Sequence, residues 1–382
     1  MHMTRFDPPR RTLMGPGPSD VHQRVLDAMA RPTIGHLDPA FVGLMDEICD
    51  LLRKTFRTDN ALTFPVSGPG SVAMEACFVN LLEPGDTIIV CANGVFGGRM
   101  KQMAERAGAT VVMVHSPWGR AVEIAAVERA IAEHPEARVL AFVHAETSTG
   151  ARSDAETLAR LAQQHDMLTI VDTVTSLGGI PLEVDGWGLD AVYSGTQKCL
   201  SCPPGLAPVT FSPRAVARVQ ERRTEVQSWF MDLRLVMGYW QGGTKRAYHH
   251  TAPINALYGL HEGLLMLHEI GLEQSWQRHA DAHQRLVAGL ADLGLELLVP
   301  EAERLPQLNS VIVPDDIDEA AVRATLLNAH NLEIGAGLGD LAGKVWRIGL
   351  MGQCADDAHV DLCLSALSGA LAAQRSEAAQ TA

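Results

Sequence analysis

Lys198 and Asp172 are the residues of this sequence whose types and positions most directly suggest chemistry. Lys198 ends the polar turn 193–198 just past a predicted strand, and Asp172 ends another predicted strand earlier in the chain. A lysine amine can form a Schiff base, and an aspartate can hold a protonated pyridine nitrogen. Pyridoxal 5'-phosphate (PLP) needs these two groups from a protein, so the pair predicts a site for that cofactor.

Both residues also have ordinary structural explanations. A lysine usually lies on the surface, and an aspartate after a strand can cap a helix or pair within the core. Against the surface explanation, small or rigid residues such as Gly195 and Pro203 surround Lys198. A lysine amine that is desolvated or lies beside a cation becomes a better nucleophile, and it can then move protons as a general acid and base.

A glycine-rich turn, residues 67–71, joins a predicted strand to a predicted helix. Glycines there allow backbone N–H groups to approach an anion, and a helix N-terminus favours negative charge. The turn lacks the nucleotide-binding phosphate patterns, and a tight turn with a serine at the helix N-cap explains it equally well. The sequence leaves both interpretations open.

Two further residues are candidates for binding. Phe96 lies in the glycine-containing turn 92–97, where an aromatic ring can stack on a planar cofactor or pack in the core. Arg347 lies among apolar residues of a predicted strand, and a half-buried arginine requires an anion. Its planar guanidinium matches a carboxylate, which is either a protein Asp or Glu or the carboxylate of an amino-acid substrate.

The composition of the chain disfavours several kinds of binding partner. The chain has 382 residues, is 47% hydrophobic and carries a net charge of −14, which suits a globular protein and disfavours nucleic acid. No apolar run is long enough to span a membrane, and no apolar signal core follows the N-terminus. The seven cysteines lack disulfide-framework spacing, so we expect reduced thiols in the cytoplasm. The Cys199–Cys202 pair has no second ligand pair, and no metal is expected.

Predicted strands alternate with predicted helices from about residue 58 to 211, as in a mostly parallel sheet. The predicted strands are residues 61–66, 87–91, 110–114, 139–143, 168–171, 191–194 and 208–211. In open sheets of this kind, ligands bind beyond the carboxyl ends of the strands. Asp172, Lys198 and the turn 67–71 all lie at such ends.

The remainder of the sequence predicts a second, smaller unit. A long helical stretch, residues 254–293, precedes short predicted strands at 310–313 and 345–348 and a helix at 319–328. We therefore predict three parts, which are an N-terminal arm (1–20), a large cofactor-binding domain (21–253) and a small C-terminal domain (254–382).

Five motifs in register make the chain similar to the class V aminotransferases, which are PLP-dependent transferases of fold type I. The motifs are residues 146–150, 171–179, 194–198, 248–251 and 343–349. The resemblance covers nearly the whole chain and is greatest to the alanine–glyoxylate and serine–glyoxylate aminotransferases. It implies an α/β fold with a mostly parallel seven-stranded sheet in the large domain and a smaller C-terminal α+β domain.

The resemblance also implies individual roles. Lys198 would form the Schiff base, Asp172 would pair with the pyridine nitrogen, and Arg347 would hold the substrate carboxylate. Phe96 would stack on one face of the cofactor ring, and Val174 would pack on the other.

The resemblance further implies a homodimer with a shared active site, across which the N-terminal segment packs. Thr147 would lie near the ring hydroxyl of the cofactor. Gly70, Ser71 and Gln197 would bind its phosphate, together with Tyr248 and Thr251 of the partner subunit. His36 and Trp229 would line the pocket for the substrate side chain.

The function implied is an aminotransferase with a ping-pong cycle, which moves an amino group from a small amino acid, alanine or serine, to a 2-oxo acid, glyoxylate or pyruvate. Ureidoglycine–glyoxylate aminotransferases are also similar, but they carry an Asn-Tyr pair where this chain has Trp229 and Phe230. Apolar Trp229 cannot replace the hydrogen bonds of the amide. Gln197 stands where cysteine desulfurases carry histidine, and Phe96 stands where animal alanine–glyoxylate enzymes carry tryptophan. The sequence also leaves open a PLP lyase and, outside enzymes, a regulator or a carbohydrate-binding protein with this fold.

Overall fold

A computed structural model describes residues 5–241 and 246–381 of the chain. The first four residues of the predicted N-terminal arm and the last residue of the predicted C-terminal domain therefore lie outside the described residues. Within the described part, no helix has the length and apolar character needed to cross a membrane.

Strands and helices alternate along the described residues. The strands are β1 (Thr12–Leu13), β2 (Leu62–Ser67), β3 (Thr87–Ala92), β4 (Thr110–His115), β5 (Val139–Val143), β6 (Ala145–Glu146), β7 (Ala151–Arg152), β8 (Leu168–Asp172), β9 (Ala191–Tyr193), β10 (Leu206–Phe211), β11 (Leu308–Ile312), β12 (Leu332–Glu333), β13 (Gly335–Ala336) and β14 (Val345–Gly349). The helices are α1 (Gln23–Met29), α2 (Pro39–Phe56), α3 (Gly70–Leu81), α4 (Val95–Arg106), α5 (Ile124–Glu133), α6 (Ala155–Gln164), α7 (Val184–Trp187), α8 (Pro213–Gln220), α9 (Leu233–Trp240), α10 (Ile254–Ile270), α11 (Leu272–Asp292), α12 (Glu319–His330) and α13 (Asp357–Thr381).

The central sheet confirms the predicted architecture. It has seven strands in the order β2-β10-β9-β8-β5-β3-β4, and β10 is antiparallel to both of its neighbours, whereas the other pairs are parallel. Strands β3 and β5 are buried at every position, as expected for parallel strands covered by helices on both faces. Every predicted strand of this region is present, and the largest shift is the start of β10 at Leu206 rather than at Pro208.

The described residues form two large hydrophobic cores. The larger core surrounds the central sheet and also includes side chains of α10 such as Leu257 and Leu264. The smaller core packs α11, α12 and α13 against the antiparallel sheet β11-β14-β13. Helix α10 packs with the larger core, although it follows the predicted boundary at residue 253. The domain bounds stay a prediction.

Gly271 divides the long helical stretch predicted for residues 254–293. Helix α10 ends at Ile270 and α11 begins at Leu272, and Gly271 between them has a φ of 91°. That conformation is strained for residues with a side chain, so glycine permits the break.

The N-terminal arm runs along the C-terminal part before it reaches the central sheet. Strand β1 pairs in parallel with β12, and the N–H of Gly349 donates to the carbonyl of Met14 at 2.7 Å. The N–H of Ser19 then donates to the carbonyl of Gln197 at 2.9 Å. The arm thus brings residues 15–18 to the carboxyl edge of the central sheet, where β2, β8 and β9 also end.

Candidate active site

Asp172 is held at the carboxyl end of β8 by two donors. The backbone N–H of Val174 donates to its Oδ1 at 2.9 Å, and the hydroxyl of Tyr193 on the neighbouring strand β9 donates to its Oδ2 at 2.8 Å. Burial raises the pKa of Asp172 to about 6, and these two bonds oppose the rise. The carboxylate is therefore fixed in orientation and is prepared to meet a cation. Tyr193 was absent from our predicted site residues.

Lys198 lies in the turn between β9 and β10 and is 8% exposed. Its amine donates to the carbonyl of Pro16, and a Cβ on Gly17 would lie 2.6 Å from the lysine Nζ. The N-terminal arm therefore covers Lys198 of the same chain, and glycine at position 17 permits this approach. Burial and the charge of Arg347 lower the pKa of Lys198 to about 8, which makes its amine a better nucleophile at neutral pH.

The start of α3 can bind an anion. Its N-cap residue is Pro69, which makes no side-chain cap hydrogen bond, so the structure does not use the serine cap that we had considered. Gly70 is buried, and a Cβ there would lie 3.2 Å from Val174 and 3.5 Å from the carbonyl of Ser194. The hydroxyl of Ser71 accepts a hydrogen bond from Arg99 at 3.1 Å. A helix N-terminus beside a guanidinium favours a phosphate group.

Gln197 and Val174 lie against the glycines of the same region. A Cβ on Gly195 would lie 2.7 Å from the Oε1 of Gln197 and 3.4 Å from Val174. The Oε1 atom of Gln197 is buried and has no hydrogen-bond partner within the described residues. An unpaired buried amide requires an explanation, and a bound polar group beside it would supply one.

Phe96 stands at the start of α4 with its ring beside Arg99. The guanidinium carbon of Arg99 lies 4.9 Å from the centre of the Phe96 ring. The positive charge of Arg99 also lowers the pKa of Asp172, against the larger effect of burial. Arg99 thus connects the predicted ring-stacking and phosphate-binding residues. Arg99 was absent from our predicted site residues. The sequence indicates it only through its position one helical turn after Phe96, which places the two side chains on the same face of α4.

Arg347 lies on β14 and is 6% exposed. Its Nε donates to the carbonyl of Ala336 at 2.7 Å, and its Nη1 donates to the carbonyl of Thr147 at 3.2 Å. Within the described residues these are its hydrogen bonds, so no protein carboxylate pairs with it. Burial lowers the pKa of Arg347 to about 10, and the negative charge of Glu146, which forms no salt bridge with it, opposes this effect. The side chain of Thr147 meets the hydroxyl of Thr175.

These residues fit PLP. The lysine and the aspartate are buried at one edge of the sheet, and the charge of each acts on the pKa of the other. The uncapped start of α3 suits the phosphate, while Phe96 and Val174 offer apolar surfaces for a planar ring. Arg347 has no carboxylate partner among the described residues, so it can take the carboxylate of an amino acid.

The other four predicted residues lie in a separate group of mostly aromatic side chains, some exposed and some buried, which we call the aromatic patch. It comprises His36, Trp229, Phe230, Tyr239, Tyr248, His249, His250 and Thr251. Trp229 is 62% exposed and Tyr248 is 65% exposed. The His36 ring lies 5.1 Å from that of Tyr248, and Trp229 stacks on His249 at 4.5 Å. Within the described residues, no hydrogen bond or ring contact joins this patch to Lys198 or Asp172 of the same chain.

The cysteines and the possible metal ligands are not among the residues that we assign to the site. Cys199 and Cys202 are buried, and their thiols donate to the backbone carbonyls of Thr175 and Leu200. One group of metal-ligand types, Asp20, Cys354 and His359, lies within 4.8 Å. His359 of this group bonds to Asp356 at 2.7 Å and lies 3.5 Å from Asp20, so contacts within the protein explain why these residues lie together.

The chain matches known proteins over nearly its whole length. Residues 13–344 match the family model of the class V aminotransferases. An alanine–glyoxylate aminotransferase of Drosophila melanogaster is 40% identical over 366 residues, which cover 95% of this chain and 93% of that protein.

Two solved structures are similar to the chain along most of their length. An alanine–glyoxylate aminotransferase from Nostoc sp. is 47% identical with a TM-score of 0.94, covering 97% of this chain and 98% of that one. A ureidoglycine–glyoxylate aminotransferase from Bacillus subtilis is 36% identical with a TM-score of 0.95, covering 97% and 95%. This chain belongs to the class V aminotransferases and is a PLP-dependent transaminase.

Proposed function

We propose that this enzyme transfers the amino group of alanine to glyoxylate in a ping-pong cycle, with pyruvate as the released 2-oxo acid. Serine is the second donor that we propose. The relatives named above that act on alanine and glyoxylate support the choice of substrates. The single observation that carries the proposal concerns Arg347, whose guanidinium is buried. Within the described residues, its hydrogen bonds go to backbone carbonyls and to no carboxylate.

Arg347 favours a substrate with one carboxylate. Of the two arginines that we place at the site, Arg99 bonds to Ser71 and lies beside the Phe96 ring, whereas the described bonds of Arg347 go to backbone carbonyls. A substrate bound beside Lys198 therefore meets one available guanidinium, which pairs with its α-carboxylate. A donor such as aspartate would leave its second carboxylate without such a partner, and an unpaired buried charge is unfavourable. A small neutral side chain, as in alanine or serine, avoids that problem.

Three residues of the chain, Lys198, Asp172 and Arg347, have separate roles in the reaction. When bound, PLP draws electrons from the substrate Cα and stores the amino group between the two half-reactions. As general acid and base, the amine of Lys198 would take the proton from the substrate Cα and deliver it to the carbon of the cofactor that receives the amino group. Asp172, held by Tyr193 and Val174, stabilises positive charge at a ring nitrogen. Arg347 orients the substrate so that its Cα–H bond faces Lys198.

We further propose a homodimer in which Tyr248 and Thr251 of each chain serve the phosphate site of the other. Tyr248 and Thr251 are exposed and lie apart from Lys198 of the same chain, which supports a contribution to a second copy. Their neighbours His36 and Trp229 would then line the substrate pocket of that copy. We propose a cytoplasmic location, which the seven unpaired cysteines support.

The first test is a half-reaction followed by visible absorption. The purified PLP-loaded enzyme is mixed separately with alanine, serine, aspartate and glycine, without a 2-oxo acid. We expect alanine to bleach the visible band of the cofactor fastest, serine to do so more slowly, and aspartate to leave it nearly unchanged. Fast bleaching by aspartate, or none by alanine, would contradict the proposed substrate class.

Ureidoglycine is the main rival donor, because one of the similar structures is a ureidoglycine–glyoxylate aminotransferase. The exposed indole of Trp229 is stacked on His249 and offers a single N–H donor and no acceptor. Turnover with ureidoglycine and glyoxylate at a kcat/KM above that for alanine would establish the rival, whereas the reverse ratio supports our proposal.

A further inference from the structure

Glu146 is a fully buried acid at the active site that takes no part in the proton transfer or the substrate binding described above. We propose that Glu146 is a positioning residue that fixes the start of helix α4, and with it the Phe96 ring, against the cofactor. The inference depends on the enzyme being PLP-dependent and does not depend on which amino acid is the donor.

Helix α4 lacks a cap from its own segment. Its N-cap residue is Gly94, which has no side chain and makes no cap hydrogen bond. The first N–H groups of a helix need partners outside the helix. Here they come from another part of the chain, because the N–H of Val95 donates to the hydroxyl of Ser148 at 3.0 Å and the N–H of Phe96 donates to Oε2 of Glu146 at 3.3 Å.

The second oxygen of the same carboxyl holds the loop from which it comes. Oε1 of Glu146 accepts from the N–H of Ser148 at 3.0 Å and from its hydroxyl at 2.6 Å. The loop so fixed contains Thr147, whose carbonyl accepts from Arg347. One carboxyl therefore connects the backbone of the ring-stacking residue to the loop that supports the substrate-binding arginine.

The close approach of the two segments depends on Gly94. A Cβ at that position would lie 2.5 Å from the Cδ and the Cγ of Glu146, which is closer than real Cβ atoms come to other atoms. Burial raises the pKa of Glu146 to about 7, opposed by its bonds from Ser148 and Phe96. The bonds from Ser148 and Phe96 therefore favour the ionised carboxylate, whose two oxygens both accept hydrogen bonds.

A simpler explanation is that Glu146 only satisfies the core, as many buried polar groups do. The substitution Glu146→Gln separates the two explanations. Its amide oxygen can keep both bonds from Ser148, but its NH₂ group cannot accept from the N–H of Phe96. The variant should therefore keep the loop and lose the bond to α4, which alters the position of the Phe96 ring.

The control is Asp190→Asn. Asp190 is also buried, and it accepts from the hydroxyl of Ser212 at 2.7 Å and from the N–H of Thr169 at 3.1 Å. It precedes β9, at the amino edge of the sheet and away from Lys198. Both substitutions change a buried acid to its amide, and Asp190→Asn also removes the charge that pairs with Arg214 at 3.5 Å. Asp190→Asn should therefore lower thermal stability at least as much as Glu146→Gln.

The experiment measures PLP binding to apoenzyme and the visible circular dichroism of the bound cofactor, which reports the orientation of its ring. We expect Glu146→Gln to raise the dissociation constant of PLP about tenfold and to change the dichroism per bound cofactor. We expect Asp190→Asn to change neither by more than about twofold.

Two results would overturn the proposal. The first is a Glu146→Gln variant with the affinity and dichroism of the parent enzyme, and the second is an Asp190→Asn variant that changes both as much. If Glu146→Gln does not fold, Ser148→Ala replaces it. The hydroxyl of Ser148 joins the N–H of Val95 in α4 to Oε1 of Glu146, so its loss loosens the carboxyl that holds the N–H of Phe96. The same two readouts and the same expectations then apply.

Discussion

Replacement of Arg347 by glutamine should weaken recognition of an amino-acid carboxylate by about 100-fold in kcat/KM. The Nε and one N–H of Nη1 already bond to backbone carbonyls, which leaves the second N–H of Nη1 and the Nη2 group for a ligand. Two charge-assisted hydrogen bonds contribute roughly 1.5–3 kcal/mol each. The lower value gives about 3 kcal/mol, and each 1.4 kcal/mol is a factor of ten.

The assay is stopped-flow absorption of the first half-reaction, with alanine and with ethylamine, which lacks a carboxylate. Arg347→Gln should slow the reaction of alanine and leave that of ethylamine within about threefold. Arg347→Lys is the matched variant, because it keeps the charge and loses the two-pronged geometry, so its loss should be intermediate. Equal losses for both amines, or a loss below about threefold for alanine, would refute the assignment.

Three further predictions concern Lys198, Tyr193 and pH. Lys198→Ala should lower the transamination rate by at least about 10²-fold, and full turnover in a rapid-quench assay would disprove the proton-transfer role. Tyr193→Phe removes a bond that lowers the pKa of Asp172, so the acid limb of the kcat/KM profile should move to higher pH; an unmoved limb would contradict this. Since only the neutral Lys198 amine attacks an aldehyde, the rate of PLP recombination with apoenzyme should rise with pH and level off above its pKa of about 8; stopped-flow rates independent of pH would exclude that pKa.

The central sheet could be predicted because parallel strands covered on both faces are short apolar runs between turn residues. The strand β5, for example, begins and ends where the sequence predicted it. The position of Asp172 and Lys198 at one edge followed from the same argument, since carboxyl ends of parallel strands meet there. The break at Gly271 did not follow, because a single glycine within a helical pattern is often tolerated.

The contacts that orient the site residues could not be read from the sequence, because they join distant segments. Tyr193 reaches Asp172 from a neighbouring strand, and Glu146 reaches the start of α4 across 50 positions of sequence. Such pairs depend on strand order and register, and periodicity gives neither. Gly94 and Pro69 offered an indirect signal, since a helix start without a capping side chain must find its partners elsewhere.

The division of the predicted residues into two groups has a consequence for function. Lys198, Asp172 and Arg347 lie together because strands of one chain bring them to a common region. Tyr248, which is exposed, and His36 lie together in the aromatic patch, and His250 of that patch bonds to Ser67 at the end of β2 at 2.8 Å. The patch is therefore anchored to the strand that leads into the predicted phosphate turn of its own chain. We propose that the patch of one subunit also contacts the phosphate site of its partner. Each phosphate site would then touch a segment that is bonded to the phosphate turn of the other subunit. Cofactor binding at one site would therefore stabilise both sites.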